Sequence, residues 1–576
     1  MNPLVTNQLR NTCGLCAVVA VATFAYDLSY AQVPEAGALQ QQLQREVEQS
    51  TPREVPLESS KKDPAPTKPE SSKETIAVKK FVISGATLID RKQIDKALAP
   101  FENREITFEQ IRDAANSLTE LYREIGRTAQ AVIPPQDVVD GVIKINILEG
   151  KVGKVIIEVD KDDPGRLRSS VIERTVAVNN PENGFVNLIG LERSLALLNE
   201  IPGNQSSAQL TAGDREGLTD ILVSSKDLGL FSARVDLANY GSASTGVPQA
   251  IASLNLRNPS GFGDQASLDA IGSEGSVYGQ FKYGFPIGAD GWKIALGAST
   301  LNYKSLASFS SIISQGNAQT FGLYGTYALD RSARSISNFV ITIENKNYQN
   351  YSSQIESSRY QINDLTIGLN GSRSVGQDVI FWGANVVLGT MNIGNTNQLS
   401  NDQNGAATDG SFVKLAFNGA YRADLPIDRT SATLSVYGQL ANKNLNSSEQ
   451  LYLGGPYGVR AYPVAQGGGA QGAIASVEIT HSLGNQVQLS AFFDAGVIQQ
   501  YVETWGGWQG QTRAGNTYPL YATGISAKYS QKNFQLSAML AFRVGANPLY
   551  NATGQPLNVD NSNRAVQGWI KGTYFF

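Results

Sequence analysis

Residues 487–496 read Val487-Gln488-Leu489-Ser490-Ala491-Phe492-Phe493-Asp494-Ala495-Gly496. Successive side chains of an extended chain point to opposite faces, so Val487, Leu489, Ala491, Phe493 and Ala495 share one face and Gln488, Ser490, Phe492 and Asp494 the other. An apolar face backed by a mostly polar one, over roughly ten residues, is the period of a strand crossing a bilayer in a closed barrel. Asp494 is therefore predicted to point into a lumen. Just upstream, Ala473, Ala475, Val477 and Ile479 make a lipid face while Ser476, Glu478 and Thr480 face inward. The last segment puts Ile570, Gly572, Tyr574 and Phe576 on one face, and an aromatic terminus at Phe576 suits a barrel inserted by an assembly machinery.

The same alternation runs through the chain from about Leu230. Strands are predicted to begin at Phe231, Ala250, Asp264, Ser276, Trp292, Thr320, Asn338, Tyr360, Val379, Phe412, Ala432, Gly472, Val487, Tyr518, Phe534 and Gly568. That is a transmembrane β-barrel of 16 antiparallel strands over 226–576. A bilayer offers no water to an open sheet edge, so the sheet must close, and an even count returns both ends to the periplasmic side. The residues available leave about 22 for each strand and its connection.

Ahead of the barrel the composition changes several times. Arg10, an apolar stretch from Leu15 to Phe24 and Ser29-Tyr30-Ala31 read as a signal peptide over 1–31. Cys13 and Cys16 leave with it, so the mature chain has no cysteine and no disulfide or thiolate chemistry. Residues 32–49 hold a short helix from Pro34 to Val47, in which Leu39, Leu43 and Val47 form a thin apolar stripe. Two readings fit that stripe: a frayed helix in solvent, or a helix lodged in a polar cavity. Residues 50–75, with five prolines among Ser, Lys and Glu, are a linker.

Residues 76–150 predict β-α-α-β-β: a strand from Val78 to Ser84, helices over Asp90–Pro100 and Thr107–Ile125, and strands from Ala129 to Ile133 and Gly141 to Leu148. The second helix opens on a Thr107/Gln110 capping-box spacing. Residues 151–225 repeat the order, with a strand at Val152–Val159, helices at Leu167–Ala177 and Leu188–Leu198, and strands at Ser207–Leu210 and Leu218–Ser224. Two small α+β domains in tandem account for both.

Charged residues are 17% of the chain and the net charge is −4, which leaves no basic surface for nucleic acid. After the first 30 positions no apolar run is long enough for a membrane helix. His481 is the single histidine, placed by the alternation on the outward face at a strand end, so no catalytic triad is built on it and no enzyme is expected. Without cysteine, one histidine does not make a transition-metal site. Gly467-Gly468-Gly469 lacks the Lys and the strand-helix setting of a phosphate loop. No cofactor is implied.

Between the eleventh and twelfth strands, on an extracellular connection by parity, stands Leu453-Gly454-Gly455-Pro456-Tyr457-Gly458-Val459-Arg460-Ala461-Tyr462-Pro463. Here the chain resembles the two-partner secretion transporters (TpsB), the haemolysin secretion/activation proteins of ShlB/FhaC/HecB type. They are a branch of the polypeptide-transporting outer-membrane barrel superfamily whose sixth loop carries Val-Arg-Gly-Tyr-Pro. Val459, Arg460, Tyr462 and Pro463 match; Ala461 replaces Gly, with Gly458 nearby to supply backbone freedom. A second family motif, Phe-x-Asp-x-Gly, is met by Phe492, Asp494 and Gly496. The resemblance implies that Arg460 pairs with Asp494 and latches the loop inside the barrel. It further implies that the two α+β units are POTRA domains, on Phe81-Val82-Ile83-Ser84-Gly85, Leu148-Glu149-Gly150 and Leu195–Gly203, and that the N-terminal helix plugs the pore at rest. The implied function is nucleotide-free secretion of a dedicated exoprotein with an N-terminal secretion domain, bound unfolded by the POTRA domains and threaded through the barrel. The setting is the outer membrane of a Gram-negative bacterium, with POTRA domains in the periplasm. Outer-membrane lipid is a further partner, and the barrel assembly machinery and periplasmic chaperones act during biogenesis. An outer-membrane protein assembly factor of the same superfamily is the alternative.

Overall fold

The computed structural model describes residues 35–49, 75–158, 165–509, 513–550 and 554–576. The predicted signal peptide and all of the linker but Thr75 lie outside these residues. The described residues open with helix α1 (Ala36–Gln49). A first α+β unit follows, with β1 (Thr75–Val78), β2 (Lys80–Ser84), α2 (Arg91–Leu98), β3 (Arg104–Thr107), α3 (Phe108–Glu124), β4 (Ala129–Val132) and β5 (Val142–Glu149). The second contains β6 (Lys151–Glu158), α4 (Ser169–Ala177), α5 (Leu188–Asn199), β7 (Asn204–Ala212) and β8 (Leu218–Asp227).

Each unit builds one three-stranded sheet with a parallel pair: β2-β5-β4 in the first and β6-β8-β7 in the second. The predicted single strand over Val78–Ser84 is broken at Lys79, whose backbone N–H donates to Gly141 O at 2.8 Å. The piece before the break, β1, pairs with β3, a short strand the sequence reading lacks. Four residues with only Ile106 buried carry no alternation to read. The Thr107/Gln110 capping box is present in full at the start of α3. Behind it Ile111, Ala114, Leu118 and Tyr122 are buried against Phe81, Ile143 and Ile145.

Sixteen antiparallel strands close the barrel: β9 (Phe231–Ala238), β10 (Gln249–Arg257), β11 (Gln265–Gly272), β12 (Ser276–Ile287), β13 (Trp292–Lys304), β14 (Ser314–Ser332), β15 (Ser335–Ser352), β16 (Ile355–Val375), β17 (Asp378–Ile393), β18 (Gly410–Asp424), β19 (Thr430–Ala441), β22 (Gln471–Leu483), β23 (Val487–Gln499), β24 (Thr517–Gln531), β25 (Phe534–Val544) and β26 (Val566–Phe575). Two-residue strands β20 (Leu451–Tyr452) and β21 (Gly468–Gly469) lie within the sixth extracellular loop. Strand β26 returns to β9, and Phe576 N–H donates to Ala233 O at 3.0 Å. Ile570, Tyr574 and Phe576 are exposed on the outer face, whereas Trp569 is buried inside, as the predicted parity requires.

The second α+β unit is tied to the periplasmic turns. Glu200, at the end of α5, pairs with Lys293 at 2.8 Å and with Arg331. Burial raises the Glu200 carboxyl, but these two cations outweigh it and hold the group below its ordinary value. Arg193 adds a guanidinium donating to Asp290 O at 2.9 Å and Leu329 O at 3.3 Å.

Candidate functional site in the barrel lumen

Among the described residues, α1 and the sixth loop, residues 442–470, lie in the lumen without being part of its wall. Leu39, Leu43 and Val47 of α1 are buried against wall residues Ile251, Tyr278, Leu301, Tyr303 and Tyr360. The thin stripe is therefore the contact of a lodged helix and not of a frayed one. Its first N–H, on Ala36, is capped from the wall by Asn350 Oδ1 at 2.8 Å. Gln40 donates to Ser299 Oγ at 3.1 Å and to Thr320 Oγ1 at 2.9 Å. Glu46 pairs with Lys571 at 2.9 Å and accepts from Tyr457 of the sixth loop at 3.0 Å. At Gly37 a Cβ would stand 2.3 Å from Ser448 Cβ and 2.7 Å from the Tyr360 hydroxyl, so only glycine lets helix, loop and wall approach this closely.

The sixth loop folds back into the barrel and brings Arg460 to Asp494. The contact is bidentate: Nε donates to Oδ2 at 2.9 Å and Nη2 to Oδ1 at 2.8 Å, while the Arg460 backbone N–H reaches Oδ2 at 3.1 Å. A rigid guanidinium fork matches a carboxylate edge in this way, and a lysine does not. Glu478 accepts from Nη1 at 2.8 Å and Ser476 from Nη2 at 3.0 Å, both from the inward face of β22. The guanidinium lies 3.3 Å over the centre of the Phe492 ring.

Phe492 in turn needs Gly524, where a Cβ would sit 2.4 Å from its ring. Gly496 opens the space that Val459 fills, since a Cβ there would stand 2.9 Å from Val459 Cγ2. Tyr462 is buried, and Trp569 Nε1 donates to the Arg460 carbonyl at 2.7 Å. Val459, Arg460, Tyr462, Phe492, Asp494 and Gly496 thus meet at one place; His481 sits apart, at the periplasmic end of β22, with Nδ1 2.9 Å from Thr430 Oγ1.

One expectation needs correction. Gly458 does not supply backbone freedom: its φ is outside the left-handed region, and what it provides is space, because a Cβ would meet Leu453 O at 2.0 Å. The left-handed turn is at Gly455, with φ +110°. Ala461 has no positive φ and is fully buried, so alanine meets no backbone penalty there.

A second tie of the loop to the wall carried no sequence signal. Glu449 pairs with Lys414 of β18 at 2.6 Å and Lys346 of β15 at 3.0 Å, away from Asp494 on β23, and Lys346 also meets Asp364 at 2.8 Å. Strand parity finds luminal wall residues, but Glu449 lies in a loop without periodicity. Glu478 and Trp569 were reachable, since parity places both inside.

An outer-membrane barrel with α+β units at its periplasmic end and a sixth loop tied back inside by an arginine defines the class of polypeptide-transporting barrels. Residues 217–517 match the family described as haemolysin secretion/activation protein ShlB/FhaC/HecB, and residues 76–150 match the ShlB-type POTRA domain. The chain belongs to that haemolysin secretion/activation family of outer-membrane transporters. Among relatives, the heme/hemopexin transporter protein HuxB of Haemophilus influenzae (strain 86-028NP) is 25% identical over 85% of this chain and 86% of that protein. The outer membrane transporter CdiB of Escherichia coli O6:K15:H31 is 23% identical over 83% of this chain and 82% of that one. The solved structure of CdiB from Escherichia coli has the same fold, with a TM-score of 0.71 at 19% identity, covering 95% of this chain and all of the other.

Proposed function

We propose that this transporter secretes a dedicated large exoprotein, taken unfolded from the periplasm, held by the POTRA domains and threaded through the barrel without nucleotide. The observation that carries this reading is a lumen filled by segments separate from its wall, held by a thin apolar contact together with many polar and ionic contacts. Such contacts exchange readily for water, so α1 and the sixth loop can leave without dismantling the barrel. The helix is the resting plug, through Leu39, Leu43 and Val47, and Arg460 with Asp494 is the latch that sets the loop's position. Docking would add a strand of the partner to a POTRA sheet edge, the borders being β2 and β4 in the first sheet and β6 and β7 in the second. Folding outside the cell would supply the drive. HuxB, CdiB and the hemolysin transporter HpmB of Proteus mirabilis, 21% identical over 93% of this chain, carry names that favour export over the assembly of other barrels.

The test is purified protein inserted in liposomes, offered an unfolded partner domain with no nucleotide. Accumulation of protease-protected partner inside is expected; correct insertion with no translocation would sink the reading.

A further inference from the structure

Strands β14 to β17 are the longest in the wall: β16 has 21 residues, against 13 in β13 and 8 in β9. On this side the outward face changes character part-way up. Climbing β14, Leu323 and Phe321 give way to Gln319, Asn317 and Gln315. On β15, Ile341 and Ile343 give way to Asn345, Asn347 and Gln349. On β16, Ile367 and Leu365 are followed by Asn363, Gln361 and Arg359. The register aligns these changes at one height, with Asn345 opposite Asn363, Asn347 opposite Gln361 and Gln319 opposite Asn347. The outward face is polar at the tops of β13 and β17 as well, at Thr300, Asn302 and Asn392, whereas β9, β12, β23 and β26 keep apolar side chains to the extracellular end, at Leu237, Val277, Val497 and Val566.

The amides form a cross-strand ladder. Asn345 donates to Asn363 Oδ1 at 2.6 Å, Asn347 to Asn345 Oδ1 at 2.7 Å and Gln361 to Asn347 Oδ1 at 3.0 Å. A carboxamide has two donors and an acceptor with two lone pairs, so the ladder engages only part of its capacity. Arg359 is paired with Glu356, so the amide rungs themselves carry no net charge, and Lys304 at the top of β13, opposite Gln315, puts a cation at their border. Directly below opens a groove of ≈ 700 Å³ on the outer wall, lined by Leu296, Ala298, Phe321 and Ile343, with Asn345 and Asn363 at its polar lip.

We propose that this face is a glycolipid site: an acyl chain lies in the groove and the saccharide head stacks along the amide ladder. The groove continues the lipid-facing belt, so its occupant is a membrane lipid, and the ladder stands on the extracellular side, so the lipid is in the outer leaflet. Uncharged donors and acceptors in a flat array match sugar hydroxyls, whereas a phosphate head alone calls for cations.

The experiment uses the full chain in mild detergent. Purified rough-type lipopolysaccharide and, separately, phosphatidylglycerol are titrated in and counted by native mass spectrometry. Lipopolysaccharide is expected to survive at least tenfold better than phosphatidylglycerol at equal activation energy, and to lose that advantage in a variant carrying Asn317→Leu, Asn347→Leu and Gln361→Leu. Ala298→Trp, which fills the groove, should lower retention of both lipids. As a measurement independent of folding variants, soluble core oligosaccharide should displace lipopolysaccharide from the unaltered protein. Equal retention of the two lipids, no displacement by oligosaccharide, or undiminished lipopolysaccharide binding in the folded triple variant would each overturn the proposal.

Discussion

Arg460 concentrates several contacts in one side chain: a two-point pair with Asp494, single bonds to Glu478 and Ser476, and the face of Phe492. Removing one partner of a buried pair costs about 3–5 kcal/mol. Because the barrel's strand pairing does not depend on it, Arg460→Ala should cut secretion while leaving barrel abundance nearly unchanged. Immunoblots of medium and membrane from the same cells check this, and wild-type secretion would remove the latch. Arg460→Lys keeps the charge without the fork and should fall nearer to alanine than to wild type. At Ala461 the backbone needs no glycine, so Ala461→Gly should lower stability by about 0.4–1 kcal/mol through added freedom of the unfolded chain and leave secretion intact. In the first POTRA domain burial raises the Glu149 carboxyl. Hydrogen bonds from Thr87, from Tyr122 at 2.7 Å and from Leu88 at 2.9 Å outweigh it and hold the group below its ordinary value. A carboxyl depressed in the folded state adds stability above its unfolded value and loses it as pH falls through the folded one. Hydrogen exchange of residues 76–150 should therefore distinguish wild type from Glu149→Gln at neutral pH and cease to do so below the ordinary carboxylate range.

At the scale of elements, α1 and the sixth loop behave as one insertion, joined by Tyr457–Glu46 and by the close approach of Gly37 to Ser448. Deleting Pro34 to Val47 should raise single-channel conductance in planar bilayers. Gly37→Leu should do so as well without shortening the chain, because its side chain has no room between Ser448 and Tyr360. Unchanged conductance in both would mean that the helix is not the plug. Glu449 holds the loop to Lys414 and Lys346 on β18 and β15, apart from the Asp494 tie on β23, so Glu449→Gln should lengthen open times even with Arg460 in place.

For the whole molecule, the ties of Glu200 and Arg193 join the second POTRA domain to the barrel, which holds its sheet edges at a set position below the pore. Comparing medium and outer membrane of cells with and without this chain by quantitative proteomics should show loss of one large protein from the medium. A general fall in outer-membrane barrels would instead indicate an assembly factor. Alternation in segments such as Val487–Gly496 determined the barrel, its sixteen strands and which side chains face the lumen, because a residue's face follows from its parity alone. The capping spacing at Thr107 likewise marked the start of α3. Parity does not say how far a loop descends or what a luminal side chain meets. The pairing of Glu449 with Lys346 and Lys414, the capping of α1 by Asn350 and the β1–β3 ribbon join residues remote in sequence or strands too short for a period. Closure of the barrel brings the luminal residues together, because a contact inside a lumen depends on the wall's curvature and on what fills it, and the β1–β3 ribbon forms only as the first α+β unit packs.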